Sequence, residues 1–181
     1  MPGIHPIIET MSILNIEFKA KTTNLALNET RLVSLHPLFI GEDNQTDTYF
    51  EVPKGRLKLR EGNIENSLIY YERIDTPGIK RSDVLLYSHQ PDKALKDILE
   101  KLHGIKTIVI KSRRIYFIDN VKFHFDKVEG LGSFIEVEAI DKEGTIGMDH
   151  LKEQCNHYQS FFEIREEDFM SESYSDLLLN K

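Results

Sequence analysis

Apolar and polar residues alternate strictly from Leu14 to Lys21. Leu14, Ile16, Phe18 and Ala20 fall on one side; Asn15, Glu17, Lys19 and Lys21 fall on the other. Alternate side chains of an extended chain share a face, so the pattern predicts a strand over 13–22 with one covered side. Similar runs predict strands over 45–52, 56–61, 67–75, 79–88, 107–118, 122–128 and 133–140. Turn chemistry separates several of them: Pro53-Lys54-Gly55, Thr76-Pro77-Gly78, Asp119-Asn120 and Glu129-Gly130. Helical spacing appears over 24–35, which Pro37 ends. A second helix is predicted over 92–102, apolar at 94, 95, 98, 99 and 102, with Gly104 as its stop. A third covers 148–158, and a last short helix covers the end around Ser173 to Leu178.

Eight strands joined mostly by hairpins pair antiparallel. Such a set closes readily into a barrel with helices packed outside, which places the chain in the α+β class. The predicted domain spans 12–181, preceded by an extension over 1–11; Met11 stands just before the first strand and is an alternative start.

Composition narrows the function classes. A chain of 181 residues with 40% apolar and 29% charged residues buries a core without a staple. Its one cysteine, Cys155, excludes an internal disulfide and a multi-thiolate zinc site, and points to a reducing cytoplasm. As a nucleophile Cys155 is disfavoured by its acidic neighbours. No apolar stretch approaches the roughly 18 residues of a membrane span, and the first residues lack a basic signal-peptide region. The net charge of −7 argues against a general nucleic-acid surface. The seven histidines show no ligand spacing, and each reads as a surface or core residue.

The polar strand faces carry an unusual charge distribution. They hold nine bases (Lys19, Lys21, Arg56, Lys58, Arg60, Arg73, Lys111, Arg113, Lys122) and four acids (Glu17, Asp126, Glu136, Glu138), a set of +5 in a chain of −7. A sheet with one solvated face is the simple reading of any single strand. Six strands of like character suggest instead that the polar faces close inward around a cavity. Cations so enclosed cost several kcal/mol each unless neutralised, so the cavity would call for a polyanion. Arg forks and Lys points suit phosphate oxygens, and Glu17, Glu136 and Glu138 offer the hard oxygen donors that Mg2+ or Mn2+ prefers. Gly55 and Gly62 open no helix, so no P-loop is present.

The segments Asn15-Ile16-Glu17-Phe18-Lys19, Asp47-Thr48-Tyr49-Phe50 and Gly55-Arg56-Leu57-Lys58-Leu59-Arg60-Glu61 are followed by Tyr71-Glu72-Arg73 and Val109-Ile110-Lys111-Ser112-Arg113-Arg114. Phe125-Asp126-Lys127-Val128, Leu131-Gly132-Ser133-Phe134-Ile135-Glu136-Val137-Glu138 and a terminal Ser-Tyr-Ser-Asp-Leu-Leu complete the order. In order and spacing they resemble the CYTH family, the triphosphate tunnel metalloenzymes, and look most similar to its class IV adenylyl cyclase branch. The resemblance runs from about Leu14 to Leu179. It implies an eight-stranded antiparallel tunnel, a metal-dependent reaction on a triphosphate (ATP, tripolyphosphate or thiamine triphosphate), and pairing of two chains as a homodimer. By match, Glu17, Glu136 and Glu138 look like metal ligands for Mg2+ or Mn2+. Lys19, Lys58, Arg60, Arg73, Lys111 and Arg113 look like the triphosphate cradle. Lys19, Lys111 and Asp126 look catalytic, Asp126 as a metal-linked or base-organising acid. Asn15 stands where the family's opening Glu-x-Glu-x-Lys motif has its first Glu, which puts an uncharged amide at that position. The implied functions are an ATP-cyclising lyase, a triphosphatase, or a non-catalytic nucleotide or polyphosphate binder in which Asn15 marks lost turnover.

Overall fold

The structure is a computed structural model that describes residues 13–72 and 78–181. The expected extension over 1–11 lies outside the described residues. The strands are β1 (Ile13–Lys21), β2 (Leu38–Phe50), β3 (Arg56–Glu61), β4 (Ser67–Glu72), β5 (Lys80–Ser88), β6 (Ile105–Ile118), β7 (Val121–Val128) and β8 (Gly132–Asp141). The helices are α1 (Leu25–Val33), α2 (Lys93–His103), α3 (Met148–Phe161) and α4 (Tyr174–Leu179). The strands form a closed barrel in the order β1-β5-β4-β3-β2-β6-β7-β8, and β8 pairs back onto β1. Every neighbouring pair is antiparallel. This is the predicted architecture, with helices on the outside.

The main difference is β2, which begins at Leu38 instead of 45. Its first half, including the polar run Glu42-Asp43-Asn44, lies ahead of the predicted strand. It is held in the barrel by pairing with β6, from Leu38 opposite Phe117 to Gln45 opposite Lys111, across a register shift at Gly41. β4 is described to Glu72, and the last part of its expected range falls outside the described residues.

The barrel is inside-out relative to an ordinary β-sheet. Its outward faces carry the main core: Ile16, Phe18 and Ala20 of β1, Phe123 and Phe125 of β7, and Ile135, Val137 and Ala139 of β8. Leu32 of α1 and Leu151, Cys155 and Tyr158 of α3 cover them. Asp92 caps α2 by accepting a bond from the Ala94 amide at 2.8 Å, and Leu99 packs on Phe50 and Leu59. One end of the barrel is filled by Tyr49, Val109, Val128 and Phe134, under Tyr174 at the start of α4. Ser173 and Asp176 cap that helix reciprocally. Among the described residues no helix is long and apolar enough to cross a membrane.

Apolar burial on the outer wall is therefore what keeps the polar wall facing in. Phe123 is fully buried and meets the Tyr158 ring edge-on at 4.6 Å. Its replacement in Phe123→Ala is expected to cost about 3–5 kcal/mol by urea unfolding, the range for a buried aromatic truncation. A loss under about 1 kcal/mol would contradict the placement of the core between barrel and helices.

Candidate active site

The inward faces enclose a cavity of about 600 Å³. Barrel pairing decides which side chains meet there, because directly opposed residues on antiparallel strands share a face. Asp47 of β2 opposes Arg60 of β3, and Gln45 opposes Lys111 of β6. Arg113 opposes Asp126 of β7. His124 opposes Glu136 of β8, while Lys19 and Glu17 of β1 oppose Glu136 and Glu138.

Toward one side the cavity is a cation cluster built on a single carboxylate. Arg60 donates two bonds to Asp47, at 2.8 and 2.9 Å. Lys111 donates to the same carboxylate at 2.7 Å and Lys58 at 3.2 Å. Burial alone would raise the Asp47 carboxyl, but Arg60, Lys111 and Lys58 hold it well below its ordinary value. Three cations share this carboxylate, and Arg60 also reaches Glu65 at 3.1 Å. Burial pushes the Lys111 ammonium down to about 7 against the pull of Asp47, and Arg60, Arg113 and Lys58 add repulsion. Arg113 forms a fork with Asp126 at 2.7 and 2.6 Å and also donates to Glu136 at 2.8 Å. Asp126 is fully buried and accepts the Tyr174 hydroxyl at 2.7 Å. It stands behind Arg113 and does not line the cavity. Lys19 lies over the Tyr174 ring, 4.1 Å from its centre.

Glu65 reaches the cavity from the β3–β4 turn. Asp43 accepts bonds from the Ile64 and Glu65 amides at 2.8 and 3.0 Å, which fixes that turn. Gly62 permits the approach, since a Cβ there would stand 2.5 Å from an Asp43 oxygen. Glu65 then accepts from Lys122 at 2.5 Å and from Arg60 at 3.1 Å.

The opposite side is acidic, with Glu17, Glu136 and Glu138 brought together on β1 and β8. Burial, then the neighbouring Glu136, pushes the Glu138 carboxyl up to about 7. Burial would also raise Glu136, but Lys19 and Arg113 outweigh it and hold that carboxyl well below its ordinary value. His124 lies beside both, and burial, with Arg113 and Lys122, pushes its ring down to about 3. The Asn15 amide oxygen and His124 Nε2 are buried without a hydrogen-bond partner among the described residues. Clustered carboxylates, Glu138 among them with its charge opposed by burial and by Glu136, beside an orphaned amide oxygen form a donor set that fits a hard divalent cation.

The structure corrects the charge reading. Lys21 is exposed and borders an outer groove. Arg56 pairs with Asp176 of α4 at 2.8 Å and does not line the cavity. Arg73 lies outside the described residues. Six of the nine expected bases line the cavity, where five carboxylates face them. Among the described residues the interior is thus a nearly balanced but segregated array, not a bare cation surplus. Asp47 and Glu65 are the acids that the charge reading missed. Asp47 was legible from its alternation with Tyr49; Glu65, on a turn, carried no periodic signal. Tyr49 and Tyr174 line the cavity as well as filling the end cluster. Cys155 is buried on the outer wall, where burial pushes its thiol up to about 12, in keeping with an inert role.

A family model described as the CYTH domain matches residues 14–174. Among solved structures, the chain is similar to the PH1012 protein from Pyrococcus horikoshii OT3, at 25% identity and a TM-score of 0.79, covering 90% of this chain and 98% of that one. It is similar to an adenylate cyclase candidate from Vibrio parahaemolyticus at 19% identity and a TM-score of 0.72, covering 92% and 98%. A third is the adenylyl cyclase candidate HpAC1 from Hippeastrum, which reveals a dominant triphosphatase activity, at 11% identity and a TM-score of 0.60, covering 92% and 94%. The last two likenesses show a shared fold. No curated protein matches the chain.

If Asp47 is the hub of the cation cluster, Asp47→Asn leaves three enclosed cations without their shared anion. It is expected to lose about 3–5 kcal/mol of stability in chemical unfolding without ligand, the cost of breaking a buried pair. An unfolding midpoint equal to that of the parent protein would contradict the hub.

Proposed function

The chain belongs to the CYTH domain family, and from that premise we propose that it is a metal-dependent enzyme that holds a triphosphate inside the barrel. The observation that carries this reading is the separation of charge across one cavity: the Asp47-centred cations on one side, Glu17, Glu136 and Glu138 on the other. The finer reading is a class IV adenylyl cyclase type of reaction, in which ATP gives cyclic AMP and pyrophosphate. An apolar wall of Ile69, Tyr71, Val84 and Leu86 shares the cavity with the cations and favours a substrate with an organic part.

Lys19, Lys58, Arg60, Lys111 and Arg113 are assigned to the phosphates; Arg73 keeps that assignment from its sequence match alone. Glu17, Glu136 and Glu138 are the residues that would hold Mg2+ or Mn2+. A bound divalent cation supplies acidification of a coordinated hydroxyl and neutralises phosphate charge. Arg60 and Arg113, fixed by their carboxylate forks, meet the charge that develops on the leaving group without reorganising. Asp126 acts through Arg113 and Tyr174 and is a positioning residue. Anionic phosphate restores the charge that Lys111 lacks, so Lys111 takes up a proton on binding and presents it at Nζ to a leaving oxygen. A triphosphatase uses the same cradle with water as nucleophile, and the Hippeastrum relative is the precedent for that reading.

Incubation with Mn2+ or Mg2+ and ATP, tripolyphosphate or thiamine triphosphate separates the readings: cyclic AMP with pyrophosphate from ATP is expected, free phosphate assigns a triphosphatase, and no product from any of the three overturns an enzymatic role. Glu17→Gln is expected to lower turnover at least about 100-fold with a thermal midpoint close to the parent's. Full activity would remove Glu17 from the metal site.

The Lys111 assignment gives a pH-dependent prediction. Its folded value of about 7 lies below the ordinary 10.5, so at pH 8 the ligand-free group is mostly neutral. Metal-free tripolyphosphate binding at pH 8 is therefore expected to take up a proton, seen by calorimetry in buffers of different ionisation enthalpy. Near pH 6 Lys111 is already charged and its contribution vanishes. Equal uptake by Lys111→Gln would contradict the assignment.

A further inference from the structure

His124 is fully buried on the inward face of β7, in the acidic half of the cavity. Its Nδ1 lies 3.2 Å from a Glu136 oxygen and 3.4 Å from a Glu138 oxygen. One atom from each of these three residues falls within a sphere of mutual separations no larger than 4.8 Å. We infer that His124 is itself a metal ligand, and that with Glu136 and Glu138 it forms a mixed nitrogen–oxygen site that selects Mn2+ and related transition cations over Mg2+. This rests on the proposed metal role of the two glutamates.

Two observations favour a ligand over a hydrogen-bonding bystander. First, a single ring nitrogen faces oxygens from two different carboxylates. An N–H at that atom serves one of them well, whereas a cation serves all three donors. Second, the spacings suit a shared ion. Ligand bonds of about 2.1 Å at right angles put neighbouring donor atoms about 3.0 Å apart, close to the two distances found. Neighbouring groups do not replace the ion. Arg113 binds the Glu136 oxygen that also faces His124, but it is committed to Asp126 by two further bonds. Lys122 is engaged with Glu65.

The donor chemistry then sets the choice of metal. Mg2+ favours oxygen and water, whereas imidazole adds more to the affinity for first-row transition cations. Asn15 strengthens the bias, since the amide it places at this end of β1 adds no charge to hold a hard ion.

The test uses the whole chain and the metals alone. Calorimetric titration is expected to show Mn2+ binding at least about tenfold tighter than Mg2+, and His124→Ala is expected to weaken Mn2+ by about tenfold or more while changing Mg2+ by less than about threefold. Pulsed electron paramagnetic resonance of the Mn2+-loaded parent protein is expected to show a directly bound 14N nucleus, a readout that does not depend on the variant folding. Mn2+ bound without a nitrogen coupling, or equal loss of Mn2+ and Mg2+ in His124→Ala, overturns the ligand assignment and leaves the glutamate site standing. Absence of Mn2+ binding, or unchanged binding in Glu138→Gln, overturns the glutamate site and this inference with it.

Discussion

The structure depends on how charge is enclosed. Among the described residues, six cations and five carboxylates line one cavity of a barrel whose outer wall is apolar. Ions in such a place are tolerated only when their attraction offsets lost hydration. Asp47 does most of this on the cationic side, with Arg60, Lys111 and Lys58 on one carboxylate. Asp126, on the inward face but off the cavity lining, does the same for Arg113. The outer core is the other half of the constraint. With Phe18, Phe123, Phe125 and Val137 packed under α1 and α3, the strands cannot turn over without exposing them.

Near balance with segregation gives the site its chemistry. A cavity of uniform positive charge would bind any anion and would be hard to keep folded. Here three cations share Asp47 on one side, a local deficit of anionic charge, and on the other Glu138 stands among Glu17 and Glu136, a local deficit of cationic charge; burial first, and such like-charged neighbours second, lower the Lys111 ammonium and raise the Glu138 carboxyl. The two deficits have opposite sign and face each other. A metal–triphosphate complex carries the complementary pair of charges, whereas a free anion or a free cation answers only one side.

Much of this was legible in the sequence, because alternation fixes which residues share a strand face. Glu17 with Lys19, Lys58 with Arg60, Lys111 with Arg113, and Glu136 with Glu138 all stand where that pattern puts them. What was not legible came from pairing across strands and from outside the strands. The Glu42–Asn44 run lies ahead of the predicted strand, yet β6 holds it extended, and it delivers Asp43 inward. Glu65 arrives on a turn fixed by Asp43, and Tyr174 arrives at the head of a helix more than thirty residues beyond the last strand. Lys21 shares the parity of Lys19 but lies at the end of β1, outside the cavity. His124 carries no spacing signal, since its partners lie on the neighbouring strand.

The most direct test of the central claim is a crystal structure of the protein with tripolyphosphate and Mn2+, with the metal located by anomalous scattering. The account predicts phosphate oxygens against Arg60 and Lys111 within the barrel, and a manganese peak beside Glu136 and Glu138. Phosphate seated on the outer surface, with manganese away from both glutamates, would contradict it.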